Sequence, residues 1–288
     1  IIKRAGARLE QEGFSNIKFV VPNEETVAHT LGLARIILED PEARQYFGAI
    51  GYHPYPYGSA YASIPRILGA SGSGRPDAEE TALRNQLRDL AADYEIPVWM
   101  TEVSNGEVNA LSFDSLRGRA IHIHDELKYA NAAAYFGMNN MWDLLSQQGH
   151  FGNDDLMSGE STIVLIDNEA QQVYITGMGY AIGHYARWID RGAIRIEAAS
   201  SDPLLQVTAF RDDAQRRLVL VAINNADAPR TISVSLGGLT LECDVIGEQS
   251  TAAAYWQPLE PFPLTGPMNF ALTVPAESVT TFAANLES

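Results

Sequence analysis

Ile96-Pro97-Val98-Trp99-Met100-Thr101-Glu102-Val103-Ser104 is a short apolar run that ends in a carboxylate and passes into the turn residues Asn105-Gly106. A continuous apolar run of this length, with no alternation, reads as a parallel strand buried on both faces. A strand end facing a barrel mouth needs no charge for packing. A carboxylate delivered there therefore reads as a catalytic group at the rim of a (β/α) barrel. Glu102 is the candidate.

Working outward, 17–21, 47–53 and 137–142 repeat the pattern as further short apolar strands. Helical periodicity separates them. In 24–39, Val27, Leu31, Ala34 and Leu38 share one face, and in 78–94 Leu83, Leu87 and Leu90 do. Helices are also expected over 117–135 and 172–189. Four βα units in a row predict a parallel sheet with crossover helices, half of an eight-unit barrel. After Arg191 the pattern changes to short alternating strands over 206–211, 218–224, 231–236, 269–274 and 278–282. These predict an antiparallel β-sandwich. The expected division is a barrel portion over 1–190, holding strands 5–8 of the barrel, and a sandwich over 191–288.

Composition narrows the function classes. A net charge of −16 argues against nucleic acid as a partner, because phosphate binding needs a basic footprint. No stretch reaches the roughly 18 apolar residues of a membrane span. Lysine occurs only as Lys3, Lys18 and Lys128, and an acidic, lysine-poor surface suits a secreted protein. The chain opens at Ile1, inside what reads as a helix with no capping residue. It is expected to begin within a larger protein, with any targeting signal and the N-terminal half of the barrel lying before it. Cys243 is the sole cysteine and reads as a small buried hydrophobe.

Three expected strand ends converge on one rim. They present His53-Pro54-Tyr55-Pro56-Tyr57, Glu102, and Asn139-Asn140-Met141-Trp142-Asp143. Aromatic faces stack on the C–H faces of a sugar and polar edges bind its hydroxyls. His53, Tyr55, Tyr57 and Trp142 are thus candidate substrate contacts, Trp142 as a stacking platform. Gln147, Gln148 and His150 are weaker ones. No cofactor is expected. His122 and His124 are two apart on a helix and point to different faces, so they do not read as a metal pair. Asn153-Asp154-Asp155 lacks the ligand periodicity of a calcium loop. Gly177-Met178-Gly179 sits in a helical pattern and reads as close packing rather than a phosphate loop.

The strand end "HPY", "VWMTEVS", "NNMWDL", "YAIGHYARWIDRGAIRIEA", "LVLVAINN" and "VPAESVTTF" together resemble glycoside hydrolase family 30, over nearly the whole chain. The resemblance implies a (β/α)8 retaining glycosidase with two catalytic glutamates. Glu102 would be the nucleophile at the end of the seventh strand; beside it, Tyr55 reads as a residue that orients Glu102 or lines the nearest sugar subsite. The acid would follow an Asn at the end of the fourth strand. Asn23-Glu24 matches that pair in letters, but only one strand separates it from Glu102, which puts Glu24 on the fifth strand. The acid is then expected before Ile1. Two alternatives stand beside this: a carbohydrate-binding barrel without catalysis, and another glycosidase of the same clan, such as an arabinofuranosidase or glucuronidase.

Overall fold

The computed structural model describes residues 1–55, 78–103, 110–137, 139–143, 162–242, 245–264, 266 and 268–287. They form two compact units. One holds the described residues of 1–67, 76–105 and 125–138; the other holds those of 106–124 and 139–288.

The first unit opens with helix α1 (Ile2–Gln11) and contains a parallel sheet in chain order, β1-β2-β3-β4. Its strands are β1 (Phe19–Glu24), β2 (Phe47–Tyr52), β3 (Val98–Met100) and β4 (Ala132–Tyr135). Helices α2 (Val27–Glu39) and α4 (Ala78–Asp93) pack on it, and the one-turn α3 (Pro41–Arg44) leads into β2. Thr26 starts α2 by accepting the His29 N–H at 3.1 Å. Asp40 then ends α2 and caps α3, accepting the N–H groups of Glu42 and Ala43 ahead of Pro41. The periodic face of α2 (Val27, Leu31, Ala34, Leu38) joins Leu87 and Leu90 of α4 over Phe47, Ile50, Tyr52, Val98 and Met100. Burying each large side chain stabilises by about 1.5–3 kcal/mol, which anchors the strands almost to their C-terminal ends.

The fourth strand differs from expectation. It is Ala132–Tyr135, paired with β3 through Val98↔Ala132, Trp99↔Ala134 and Met100↔Tyr135. The run expected as the strand, 137–142, is not part of this sheet. The Ala-rich segment looked helical, but helix α5 (Phe113–Tyr129) stops before Asn131, whose φ of 52° is the left-handed conformation that closes helices. β5 (Asn139–Asp143) instead lies in the second unit, in a three-stranded sheet with β6 (Thr162–Asp167) and β7 (Gln172–Ile175). The helix expected over 172–189 is thus a strand followed by α6 (Gly177–Ala186). The two meet at Thr176, whose hydroxyl accepts the Gly179 N–H.

The rest of the second unit is the β-sandwich. An antiparallel sheet runs in the order β13-β12-β15-β10-β9-β8: Ala254–Phe262, Val245–Thr251, Ser278–Asn285, Arg217–Asn224, Leu205–Asp212 and Ile194–Ile196. A two-stranded sheet of β11 (Arg230–Ser235) and β14 (Asn269–Val274) faces it. Their period-two alternation turns Ile232, Val234, Phe270, Leu272 and Val274 onto Val207, Leu218, Leu220 and Phe282. The fold is α/β followed by all-β. On α6, His184 is fully buried between the Thr281 and Ser250 hydroxyls at 3.0 and 2.8 Å. Burial, with Arg187 nearby, pushes its imidazole down to about 3, so it is a neutral structural group.

Candidate active site

Glu102 stands two residues beyond β3, at the C-terminal end of the parallel sheet. Its side chain is 37% exposed. His53 Nδ1 lies 3.5 Å from Oε1, and the Tyr55 hydroxyl lies 3.4 Å from the same oxygen. Both neighbours are held by backbone pairing that continues past β2. The His53 N–H donates to the Glu24 carbonyl at 2.8 Å and the Tyr55 N–H to the Glu25 carbonyl at 3.2 Å. The His53 and Tyr55 rings meet edge to face with centroids 6.0 Å apart. Three of the residues expected at the rim are therefore together. A phenol and an imidazole both approach one oxygen of a carboxylate that remains open to a ligand.

The other expected contacts sit elsewhere. Tyr57 lies outside the described residues, as do Gln147, Gln148, His150, Asn153-Asp154-Asp155 and Cys243. Trp142 is on β5 in the second unit, where it packs with Leu165, Tyr174, Ala110 and Leu111. Trp99 does not face the helix layer. Val98 and Met100 enter that core, while Trp99 points to the opposite face of the sheet and meets Phe136 at 6.2 Å. His122 and His124 are both buried on α5, and His124 Nδ1 contacts the Thr208 hydroxyl at 2.7 Å. Among the described residues no group of three His, Cys, Asp or Glu side chains is arranged to hold a metal.

Behind the strand ends is a charged cluster that the sequence reading missed. Glu126 of α5 is fully buried. It accepts from Arg84 Nε at 3.0 Å and Nη2 at 2.6 Å, and from the hydroxyl of Tyr52, the residue before His53. Glu80 adds a second carboxylate to Arg84 at 2.8 Å. Burial opposes the Arg84 charge, but Glu126 outweighs it and the guanidinium stays protonated. Burial first, and then Glu126, hold the Tyr52 phenol well above its ordinary range, so it remains a donor. The only sequence signal was Glu80 and Arg84 at i,i+4, which reads as an ordinary surface pair.

Next to this cluster, burial pushes the Asp125 carboxyl up to about 8; Arg84 and Lys128 oppose the shift and Glu126 adds to it. The native state then keeps a proton that the unfolded chain releases near pH 4. Stability is expected to fall as pH rises from about 4 to about 8, by up to about 1.4 kcal/mol per pH unit, and then to level off. Asp125→Asn removes the ionisable group and should flatten that slope in urea unfolding measured across this range. An unchanged slope contradicts the assignment.

Comparison with known proteins bears on part of the second unit. Residues 192–282 match the family model described as the glycosyl hydrolase family 30 beta sandwich domain. Over those residues the chain is similar to the family 30 β-sandwich. The resemblance read from the motifs thus holds over that domain. Among solved structures, the chain is similar to a GH30 endoxylanase from Clostridium papyrosolvens C71 at 17% identity and a TM-score of 0.69, covering 99% of this chain and 61% of that one. The endo-beta1,6-glucanase BT3312 gives 19%, 0.61, 99% and 52%. A conserved exported protein from Bacteroides fragilis gives 15%, 0.65, 98% and 58%. These likenesses extend the shared fold from the family 30 sandwich to the parallel sheet. The chain spans about three fifths of the endoxylanase. No curated protein matches the sequence significantly.

Proposed function

We propose that the protein is a retaining β-glycosidase with Glu102 as its nucleophile. The observation that carries this is the convergence of His53 Nδ1 and the Tyr55 hydroxyl on one oxygen of a strand-end carboxylate. A nucleophile must be aimed at one atom, the anomeric carbon, and two contacts from a backbone-paired segment aim it. Attack by a Glu102 oxygen forms a glycosyl ester and breaks the bond to the leaving oxygen, which takes a proton from a second carboxylic acid. Water then attacks the ester, gives its proton to the same carboxylate, and releases a sugar of unchanged anomeric configuration. The second carboxyl belongs about 5–5.5 Å from the first. Since the chain spans only 61% of the endoxylanase it resembles, we assign the acid to the remainder of a longer protein rather than to Glu24.

On the same reading, residues 1–190 are the C-terminal portion of the barrel and 191–288 the sandwich. The substrate is a neutral β-linked glycan. The similar structures include an endoxylanase and an endo-β-1,6-glucanase, which makes xylan and β-1,6-glucan the first to try. The acidic, lysine-poor surface and the likeness to an exported protein support action outside the cytoplasm. Among the described residues, no helix is long and apolar enough to cross a membrane.

The test is a panel of aryl β-glycosides and the two glycans, run with the full-length protein and followed by NMR. The β anomer is expected to appear first. Release of the α anomer first contradicts a retaining mechanism. Sugar binding without turnover moves the protein to the carbohydrate-binding class.

A further inference from the structure

Asn23 sits where β1 departs from regular pairing. Pro22 is opposite Gly51 and Glu24 opposite Tyr52, so Asn23 is an extra residue between them. Its φ is 63°, the left-handed region that costs most residues about 1–2 kcal/mol and that Asn tolerates best after Gly. A bulge re-aims the side chain it carries. Here the chain aims it sideways across β2, where the amide oxygen accepts from the Thr101 hydroxyl at 2.5 Å. The crossing runs over Gly51, where a Cβ would come within 2.8 Å of Val20 Cγ1 and 2.9 Å of Asn23 Oδ1. Three departures from plain strand sequence, a bulge, a left-handed Asn and a glycine, thus serve one contact.

That contact lies at the C-terminal ends of the parallel strands, one residue before Glu102. Met100 and Tyr52 face the helix-packed core, so the neighbouring Thr101 and Gly51 face the other way, as Trp99 does. Thr101 directly precedes Glu102. Its oxygen also lies 3.0 Å from the Tyr52 carbonyl, so the one hydroxyl proton goes to that carbonyl when the Asn23 amide is turned to donate, and to Asn23 Oδ1 otherwise. Asn23 is exposed although half of its amide is tied down. A surface Asn with no task gains little from a strained backbone; strain of this kind collects at ligand sites.

We propose that Asn23 is a substrate-binding residue. One end of its amide is locked on Thr101 and the other is presented to a sugar hydroxyl in the subsite occupied when Glu102 attacks. Thr101 is the positioning residue that sets the amide's direction. A sugar hydroxyl both donates and accepts, so it suits whichever amide atom faces the sugar. This rests on the glycosidase reading above and adds to it a specificity contact from the end of β1.

The experiment uses the full-length protein with the best 2,4-dinitrophenyl β-glycoside from the panel and its monodeoxy analogues. The dinitrophenolate leaving group needs no acid. Asn23→Ala is expected to lower kcat/KM about 10- to 100-fold on the parent glycoside, the loss of one hydrogen bond to substrate. One monodeoxy analogue should already carry that loss with the unaltered protein and lose nothing more on Asn23→Ala. Thr101→Val should lower kcat/KM on the parent as well, and Thr101→Ser, which keeps the hydroxyl, should restore it. If Asn23→Ala slows every analogue by the same factor, or slows none, the proposal is overturned. The cycle reads the same whichever carboxylate attacks, so a failure of Glu102 as nucleophile is seen separately, in the Glu102→Gln variant.

Discussion

Glu102→Gln is expected to lower kcat/KM on β-glycosides by about 10⁴-fold or more, while the melting temperature of the full-length protein stays nearly unchanged. The size follows from what is removed. An amide cannot form the glycosyl ester, so the covalent route closes altogether, and loss of a nucleophile commonly costs 10⁴–10⁶. The indifference of the fold follows from how little structure depends on the carboxylate. It is 37% exposed and its contacts with His53 and Tyr55 are long, at 3.5 and 3.4 Å. The strand is anchored instead by Val98 and Met100. Activity within tenfold of the unaltered protein rules out Glu102 as nucleophile. A large drop in melting temperature shows that it is a structural group.

Glu126→Ala is expected to behave in the opposite way, destabilising the protein by about 3–5 kcal/mol. Arg84 is only 5% exposed and would keep just the Glu80 carboxylate on Nη1 while its Nε and Nη2 face a cavity, and the Tyr52 hydroxyl would lose its acceptor. The cost arises chiefly from stranding the partner. Replacing Arg84 and Glu126 together by leucines should therefore recover most of the loss, since an apolar pair of similar volume avoids the desolvation that the ion pair must overcome. Urea unfolding of the single and double variants measures both. A single-variant cost below about 1 kcal/mol, or a double variant as unstable as the single, contradicts this account.

The two outcomes separate the legible part of the molecule from the hidden part. Glu102, His53 and Tyr55 could be read because strand ends announce themselves: an apolar run stops and chemically capable residues follow. The four-stranded parallel order could be read from alternating periods. The position of the fourth strand could not. Ala132-Ala133-Ala134 has helix-forming side chains, and sheet pairing with β3 overrides that propensity once Asn131 has closed the helix. Edge strand β13, which was not among the expected strands, carries Pro258 and Pro261. At the sheet margin, where one side has no neighbour to receive N–H groups, they are tolerated.

Buried charge was hidden for a different reason. Glu126 sits among charged and polar residues along α5, in His122-Ile123-His124-Asp125-Glu126, and looks solvated. Only the packing of Arg84 and Tyr52 against it shows a closed cluster. Asn23 was hidden because register is not written in composition. The extra residue that swings its amide toward Thr101 appears only when β1 is paired with β2.

The central claim is that Glu102 forms a covalent bond to the sugar, and the direct measurement is to trap that bond. Incubation of the full-length protein with 2,4-dinitrophenyl 2-deoxy-2-fluoro-β-glycosides, then peptide mass spectrometry, should find one equivalent of sugar on the peptide containing Thr101-Glu102-Val103, with fragmentation placing it on Glu102. Labelling of a different carboxylate, or inactivation with Glu102 unmodified, would contradict the account.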